Sequence, residues 1–236
     1  VTDRETYRVM AEEKLLHLRK PTPSELHQSQ QLYKLLPEAP NQLWQMDVTY
    51  VHIPTHGWRY LITVIDYYSR YLLQGHFTDS YSAREAIKAL TKAKANAEAI
   101  RGPLTQPVFL VTDNGSTFIA KEFKDHLGHN YSQVRIQYRT PTQLGLLERF
   151  HKTLKQEEIY QHIYDSPAQA KERIEKYLHV YNNQRPHWAL KPVQGGDCYT
   201  PTQVYKQSHT IQVPRWQKWA KAAKKKVEQL SEELCA

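Results

Sequence analysis

Three acidic residues stand where an acid has little structural reason to be. Asp47 interrupts an apolar run between Met46 and Val48. Asp113 follows the apolar stretch VFLVT (108–112) and precedes Asn114-Gly115, and Glu148 lies between Leu147 and Arg149. Taken singly, each has a structural explanation: solvation at a strand edge for Asp47, turn formation for Asp113, and a first-turn acid favoured by the helix dipole for Glu148. Taken together they are donors suited to a hard divalent cation. Carboxylates brought to one place repel one another, and each pKa rises unless cations sit among them. Mg²⁺ takes oxygen ligands, usually one or two protein carboxylates, and fills its shell with water and phosphate oxygens. Two such ions about 3.5–4 Å apart stabilise the attacking and leaving oxygens of an in-line phosphoryl displacement. The 12 histidines show no zinc-type pairing with the two cysteines, Cys198 and Cys235.

The elements that must position these acids can be read from patterning. LWQMDVTYVHI (43–53) and WRYLITVIDYY (58–68) are rich in Val, Ile, Thr, Tyr and Trp and flank a turn at 54–57, so they should pair as a hairpin; RYLLQGHF (70–77) reads as a third strand. Residues 81–100 are Ala-rich with helical periodicity, capped by Ser80 or Ser82. PVFLVT (107–112) suits a strand buried on both faces. A helix near 119–128, a short strand near 134–138, a polar turn at 139–144, a helix from Gly145 towards 160 and a longer one over about 167–182 follow. A meander followed by alternating helix and strand implies a mixed sheet with helices on both faces, where strand ends converge on one rim. In the helix from 145, Leu147, Phe150 and Leu154 form the core stripe. Glu148, Lys152 and Lys155 form a second, consistent with either a surface ion pair or an acid beside phosphate-binding lysines. Ahead of all this, 7–18 has the spacing of a short amphipathic helix, and the Pro-punctuated residues 19–42 read as a linker.

Composition narrows the class. The 236 residues allow one domain with a substantial core and a smaller appendage. Nowhere do 18 apolar residues run together, which argues against a membrane span, and the opening VTDRETYRVM has no signal-peptide core. Two cysteines suit a reducing cytoplasm, and Val1 suggests a fragment of something longer. The 32 Lys+Arg against 24 Asp+Glu give +8, the sign expected for a polyanion partner; 6 of the 8 excess charges fall in residues 166–236.

WQMDVTY, VIDYYSRY, VTDNGST, GLLERFHKTLKQE and YNNQRPHWAL, in that order, resemble the integrase catalytic core of bacterial insertion-sequence transposases, the DDE type related to retroviral integrases. The resemblance covers about residues 41–205. Glu148 lies 35 positions after Asp113, and Lys155 seven after Glu148, where the family often has a basic residue. It implies an α/β fold: a ribonuclease-H-like mixed five-stranded sheet flanked by helices, with a helical N-terminal fragment and a helical C-terminal tail. It further implies that Asp47, Asp113 and Glu148 hold two Mg²⁺ (or Mn²⁺) ions, and that Lys155 with Lys152 binds DNA beside the reacting end. Gln143, Gly145 and Arg149, in and after the turn before the catalytic helix, would touch DNA too. Asp66 is expected to be structural. Met46 and the pair Leu146-Leu147 depart from the commoner family residues without removing a ligand.

On this reading residues 1–40 hold the end of a helix-turn-helix region and a linker, 41–205 the catalytic core, and 206–236 a basic helical tail containing Trp216, Trp219 and Lys221 to Lys226. The implied reaction is Mg²⁺-dependent DNA strand cleavage and strand transfer in transposition and DNA integration. Its partners are transposon ends and target DNA, it takes place in a homo-oligomer in the bacterial cytoplasm, and no membrane is involved. The rival is a domesticated, non-catalytic DNA-binding protein retaining the fold, which would be expected to lose its acids. YNNQRPHWAL is expected to end a core-packing helix rather than to read bases.

Overall fold

The computed structural model describes residues 2–13, 37–135 and 145–212. Gln143, the turn at 139–144, most of the 19–42 linker and the tail from 213 onwards lie outside the described residues. Two compact units divide the described chain. One contains α1 (Asp3–Glu12), which begins four residues before the helix expected at 7–18. The other holds the described residues 37–135 and 145–212.

Five strands form that second unit's sheet in the order β3-β2-β1-β4-β5. β1 (Leu43–Ile53), β2 (Gly57–Asp66) and β3 (Leu72–Thr78) are the antiparallel meander, and β4 (Val108–Thr112) and β5 (Tyr131–Arg135) run parallel to β1. The hairpin turn uses left-handed backbone at Thr55 and Gly57. β2 stops at Asp66, whose buried carboxylate accepts hydrogen bonds from the backbone N–H groups of Asn41 (2.7 Å) and Ser69 (2.8 Å) and from the Ser69 hydroxyl. Asp66 therefore ties the entry of β1 to the β2–β3 turn and is used up in doing so. Its carboxyl pKa is nonetheless raised, because burial outweighs these bonds.

Side-chain alternation sends the two faces of the meander into separate cores. Trp44, Met46, Ile62 and Val64 pack against α2 (Ala83–Arg101), whose buried Ala86, Ala89, Ala93 and Ala97 let the helix approach closely. Ser82 caps α2, accepting from Glu85 N–H. Val51, Ile53, Leu61 and Ile65 face α5 (Gly145–Glu157) and α6 (Pro167–Asn183) instead. Between β4 and β5 the expected single helix is two, α3 (Ser116–Ile119) and α4 (Lys121–Leu127), broken at Ala120, whose ψ of 141° is extended. β5 begins three residues before the expected 134 because Tyr131 pairs with Val108 and packs on Trp44, with ring centroids 5.9 Å apart. After α5 a single 3₁₀ turn (Ile159–Gln161) precedes α6, and α7 (Pro201–Tyr205) closes the described chain.

YNNQRPHWAL does end a core-packing helix. Asn182, at the end of α6, donates to and accepts from the backbone of Leu72, both at 2.9 Å, satisfying an edge-strand peptide that would otherwise be buried unpaired. α6 comes this close because Gly75 has no side chain: a Cβ there would fall inside contact distance of Leu178. Leu178 is itself held in the core with Leu61 and Ile174. Gly75→Val should therefore cost about 1–3 kcal/mol of stability, read by urea unfolding, and an unchanged midpoint would refute this packing account.

Candidate active site

Asp47 lies mid-strand on the β1 face that looks toward α5, opposite Thr63 of β2. β4 pairs with β1 only over Leu43–Gln45, so no described strand covers β1 at Asp47 on that side. A groove of about 500 Å³ opens there, lined by Asp47, Tyr50, Glu148, His151, Lys152 and Lys155 among others. Glu148, Lys152 and Lys155 are the second stripe of α5, and Leu147, Phe150 and Leu154 are buried as its core stripe. One helix thus brings an acid and two lysines to the rim that holds Asp47.

The electrostatics of Asp47 are those of a carboxylate in excess of its cations. Its pKa is pushed up to about 7, first by burial and then by the negative charges of Asp113 and Glu148; the Val48 N–H, donating at 2.8 Å, and the more distant Lys155 oppose the rise. The three acids therefore share one electrostatic neighbourhood. Among the described residues, however, no three His, Cys, Asp or Glu side chains are gathered into a cluster that could hold a metal ion. Glu148 is exposed at the groove's rim. Asp113, at the carboxyl end of β4, is held from the other side, its Oδ1 accepting from Gly115 N–H at 2.9 Å.

Two side chains that sequence patterning passed over belong to this neighbourhood. His151 falls on the buried stripe of α5, four residues from Leu147 and three from Leu154, and was hidden among apolar positions. Its Nδ1 is 3.6 Å from Asp47 Oδ2 and its Nε2 2.8 Å from Thr63 Oγ1. Burial, with Lys155 adding to it, lowers its pKa to about 3, so the ring is neutral and the contact with Asp47 is not an ion pair. Thr63 Oγ1 also lies 3.3 Å from the Asp47 carbonyl, so this hydroxyl bridges the Asp47 backbone and the His151 ring. The second is Tyr81. A Cβ at Gly115 would be 2.9 Å from both the Tyr81 hydroxyl and Asp113 Oδ1, so both oxygens crowd the space beside that glycine. Burial first, then Asp113, pushes the Tyr81 phenol up to about 12.

The remaining expected DNA contacts divide. Lys152 and Lys155 line the acid groove. Gly145 and Arg149 line a different hollow, of about 310 Å³, where the Arg149 guanidinium lies 5.8 Å from the exposed Trp188 ring.

Two family models, each described as an integrase core domain, match this chain over residues 37–140 and 129–193, together two thirds of its length. The chain belongs to the integrase core family. This integrase core is 33% identical over 156 residues to the transposase for insertion sequence element IS904 of Lactococcus lactis, a match covering 64% of this chain and 58% of that protein. An uncharacterized 39.2 kDa protein of insertion element IS476 from Xanthomonas euvesicatoria is 28% identical over 156 residues, 65% of this chain and 43% of that protein. The chain thus spans about half the length of these relatives. Among solved structures, a simian T-cell lymphotropic virus intasome chain superposes with a TM-score of 0.58 at 22% identity, over 75% of this chain and 58% of that one. The HTLV-2 integrase catalytic core domain, in complex with magnesium, superposes with a TM-score of 0.50 at 21% identity, over 71% of this chain and 97% of that one. At that identity the likeness concerns the fold: the mixed five-stranded sheet flanked by helices is that of a retroviral integrase core. No helix among the described residues is long and apolar enough to cross a membrane.

Proposed function

We propose that this integrase core is the catalytic centre of a DDE transposase that cleaves DNA strands at transposon ends and transfers them to target DNA. The observation that carries the reading is the raised pKa of Asp47, caused in part by Asp113 and Glu148, in a groove that also holds Lys152 and Lys155. An all-oxygen donor set with unbalanced negative charge fits magnesium or manganese, and Asp47, Asp113 and Glu148 are the residues that would hold it. When bound, two such ions supply charge stabilisation at the attacking and leaving oxygens of a phosphodiester. The chain's own residues do the rest. Lys152 and Lys155 bind the flanking phosphates, His151 and Thr63 fix the backbone and carboxyl of Asp47, and Gly115 with Tyr81 fixes Asp113. Phosphate contacts of this kind make binding salt-dependent and carry little sequence information.

The domain scheme fits this role. Residues 1–40 would complete a helix-turn-helix reader, 41–205 act as the core, and 206–236 as a basic tail. DNA and a second copy of the chain are the proposed partners, in a bacterial cytoplasm. The test is incubation of the protein with labelled element-end DNA and Mg²⁺. The wild type should cut and join strands, and Asp113→Asn should lose at least about 10²–10³-fold in rate while holding DNA with unchanged affinity in a filter-binding assay. Equal rates in the two proteins would remove Asp113 from the site. DNA binding with no turnover by the wild type would favour the non-catalytic rival.

A further inference from the structure

The hairpin beyond Asp47 carries a feature that acid-and-metal chemistry does not use. On one face of β1 and β2, Tyr50 lies opposite Tyr60 and His52 opposite Trp58. These are aromatic cross-strand pairs, with ring centroids 5.4 Å apart for Tyr50–Tyr60, 4.9 Å for His52–Trp58 and 6.4 Å for Tyr50–Trp58. The face is not covered: Trp58 is 58% exposed, Tyr50 47%, and Tyr160 of the 3₁₀ turn 70%. These rings, with Lys155 and Ile159, line a hollow of about 590 Å³. It is continuous with the acid groove, because Tyr50, Lys155 and Tyr160 line both. At its other end Tyr60 stacks on Tyr81 at 6.0 Å, and Tyr81 stands beside Asp113. A line of aromatic rings, meeting edge to face within the hairpin, therefore runs from the hairpin tip to Tyr81 beside Asp113.

Large rings left in water next to a lysine, and next to a groove built for a phosphodiester, match one class of ligand: a flexible polyanion whose units each present a π-face. Duplex DNA hides its base faces in the stack; unpaired nucleotides offer them. Aromatic platforms with a cationic flank bind single strands largely without regard to sequence. We propose that Trp58, Tyr50 and Tyr160 form a stacking platform for unpaired nucleotides adjoining the scissile phosphate, with Lys155 holding the phosphate between platform and groove. This rests on the transposase reading for the identity of the polyanion.

The test is fluorescence anisotropy with a labelled dT12 oligonucleotide and, separately, a labelled blunt duplex, alongside cleavage of element-end DNA in Mg²⁺. Trp58→Ala and Tyr160→Ala should each weaken dT12 binding about tenfold and leave duplex affinity within twofold, and Trp58→Phe should retain most of the lost binding. Both side chains are largely in solvent, so the variants should unfold at the wild-type temperature. Unchanged dT12 affinity in a wild type that still cleaves end DNA would overturn the platform and spare the transposase reading. A wild type that binds neither probe and cleaves nothing would overturn both. Equal loss for dT12 and duplex would overturn the platform in favour of a general phosphate contact. Loss of a dimer on sedimentation with dT12 affinity intact would assign the face to a second copy of the chain instead.

Discussion

Asp47→Asn should abolish strand cleavage and, in the same protein, raise stability above pH 7 in the absence of metal. The carboxyl of Asp47 is held at a pKa of about 7 against a reference of 3.8, chiefly by burial and then by Asp113 and Glu148. A folded-state pKa raised in this way contributes stability that is complete below about pH 4 and is lost as pH rises through 7. Each pKa unit corresponds to about 1.4 kcal/mol, so the loss by pH 8 is at most about 4 kcal/mol. An asparagine keeps the oxygen that accepts from Val48 N–H and carries no charge to desolvate or repel. The stability difference between variant and wild type should therefore vanish below about pH 4, grow between about pH 4 and 7 and level off above that. Magnesium should close the gap by stabilising the wild type alone, since ions that bind only the folded state add stability by mass action. Thermal melts from pH 4 to 8.5, with and without MgCl₂, read all of this. A wild type whose stability is flat across that range, or a variant less stable than wild type at pH 8, would show that Asp47 is not held in charge excess.

Gly115→Ala should lower the cleavage rate about 10²-fold while leaving the fold intact. Gly115 has φ −57°, which any residue adopts, so the backbone is not strained by the change. The effect is local: the new methyl would stand 2.9 Å from both Asp113 Oδ1 and the Tyr81 hydroxyl. At least one of these oxygens must move, and the Tyr81 ring is wedged between Tyr60 and Phe118, with centroids at 6.0 and 6.3 Å, so the carboxylate gives way first. A misplacement of about 1 Å in a reacting constellation is enough to cost about 10²-fold. Single-turnover cleavage combined with Mg²⁺ titration separates the causes. The rate should fall and the Mg²⁺ requirement rise together, with the melting temperature nearly unchanged. Pairing the change with Tyr81→Phe, which removes the hydroxyl, should recover part of the rate. Full activity in Gly115→Ala would mean that Asp113 is not confined by this glycine.

The meander, the strand ending at Asp113 and the helix opening at Gly145 were legible in the sequence because each is set by local alternation or a 3.6-residue period. Glu148, Lys152 and Lys155 share a stripe for the same reason, and the structure brings that stripe to the Asp47 groove. The start of β5 was misread by three residues because its position is decided by pairing with β4 and by Tyr131 packing on Trp44, not by its own composition. His151 was missed because a histidine among leucines on a helix face looks like any other core position until its neighbour across the interface is known to be Asp47. Arg149, one residue from Glu148, turns to a different hollow, since adjacent helix positions point about 100° apart.

By itself, then, the chain's order of residues determined the kinds of element, the acids each one carries and the kinship with integrase cores, because these depend on neighbours a few positions away. Only the tertiary structure decided that β1 leaves its edge open beyond Gln45, that Asp113 and Glu148 burden the charge of Asp47, and that an aromatic line from Trp58 to Tyr81 adjoins the same groove. Those are properties of groups separated by up to a hundred positions, and the physical quantities involved (burial, field and reach) have no value until the sheet has been assembled.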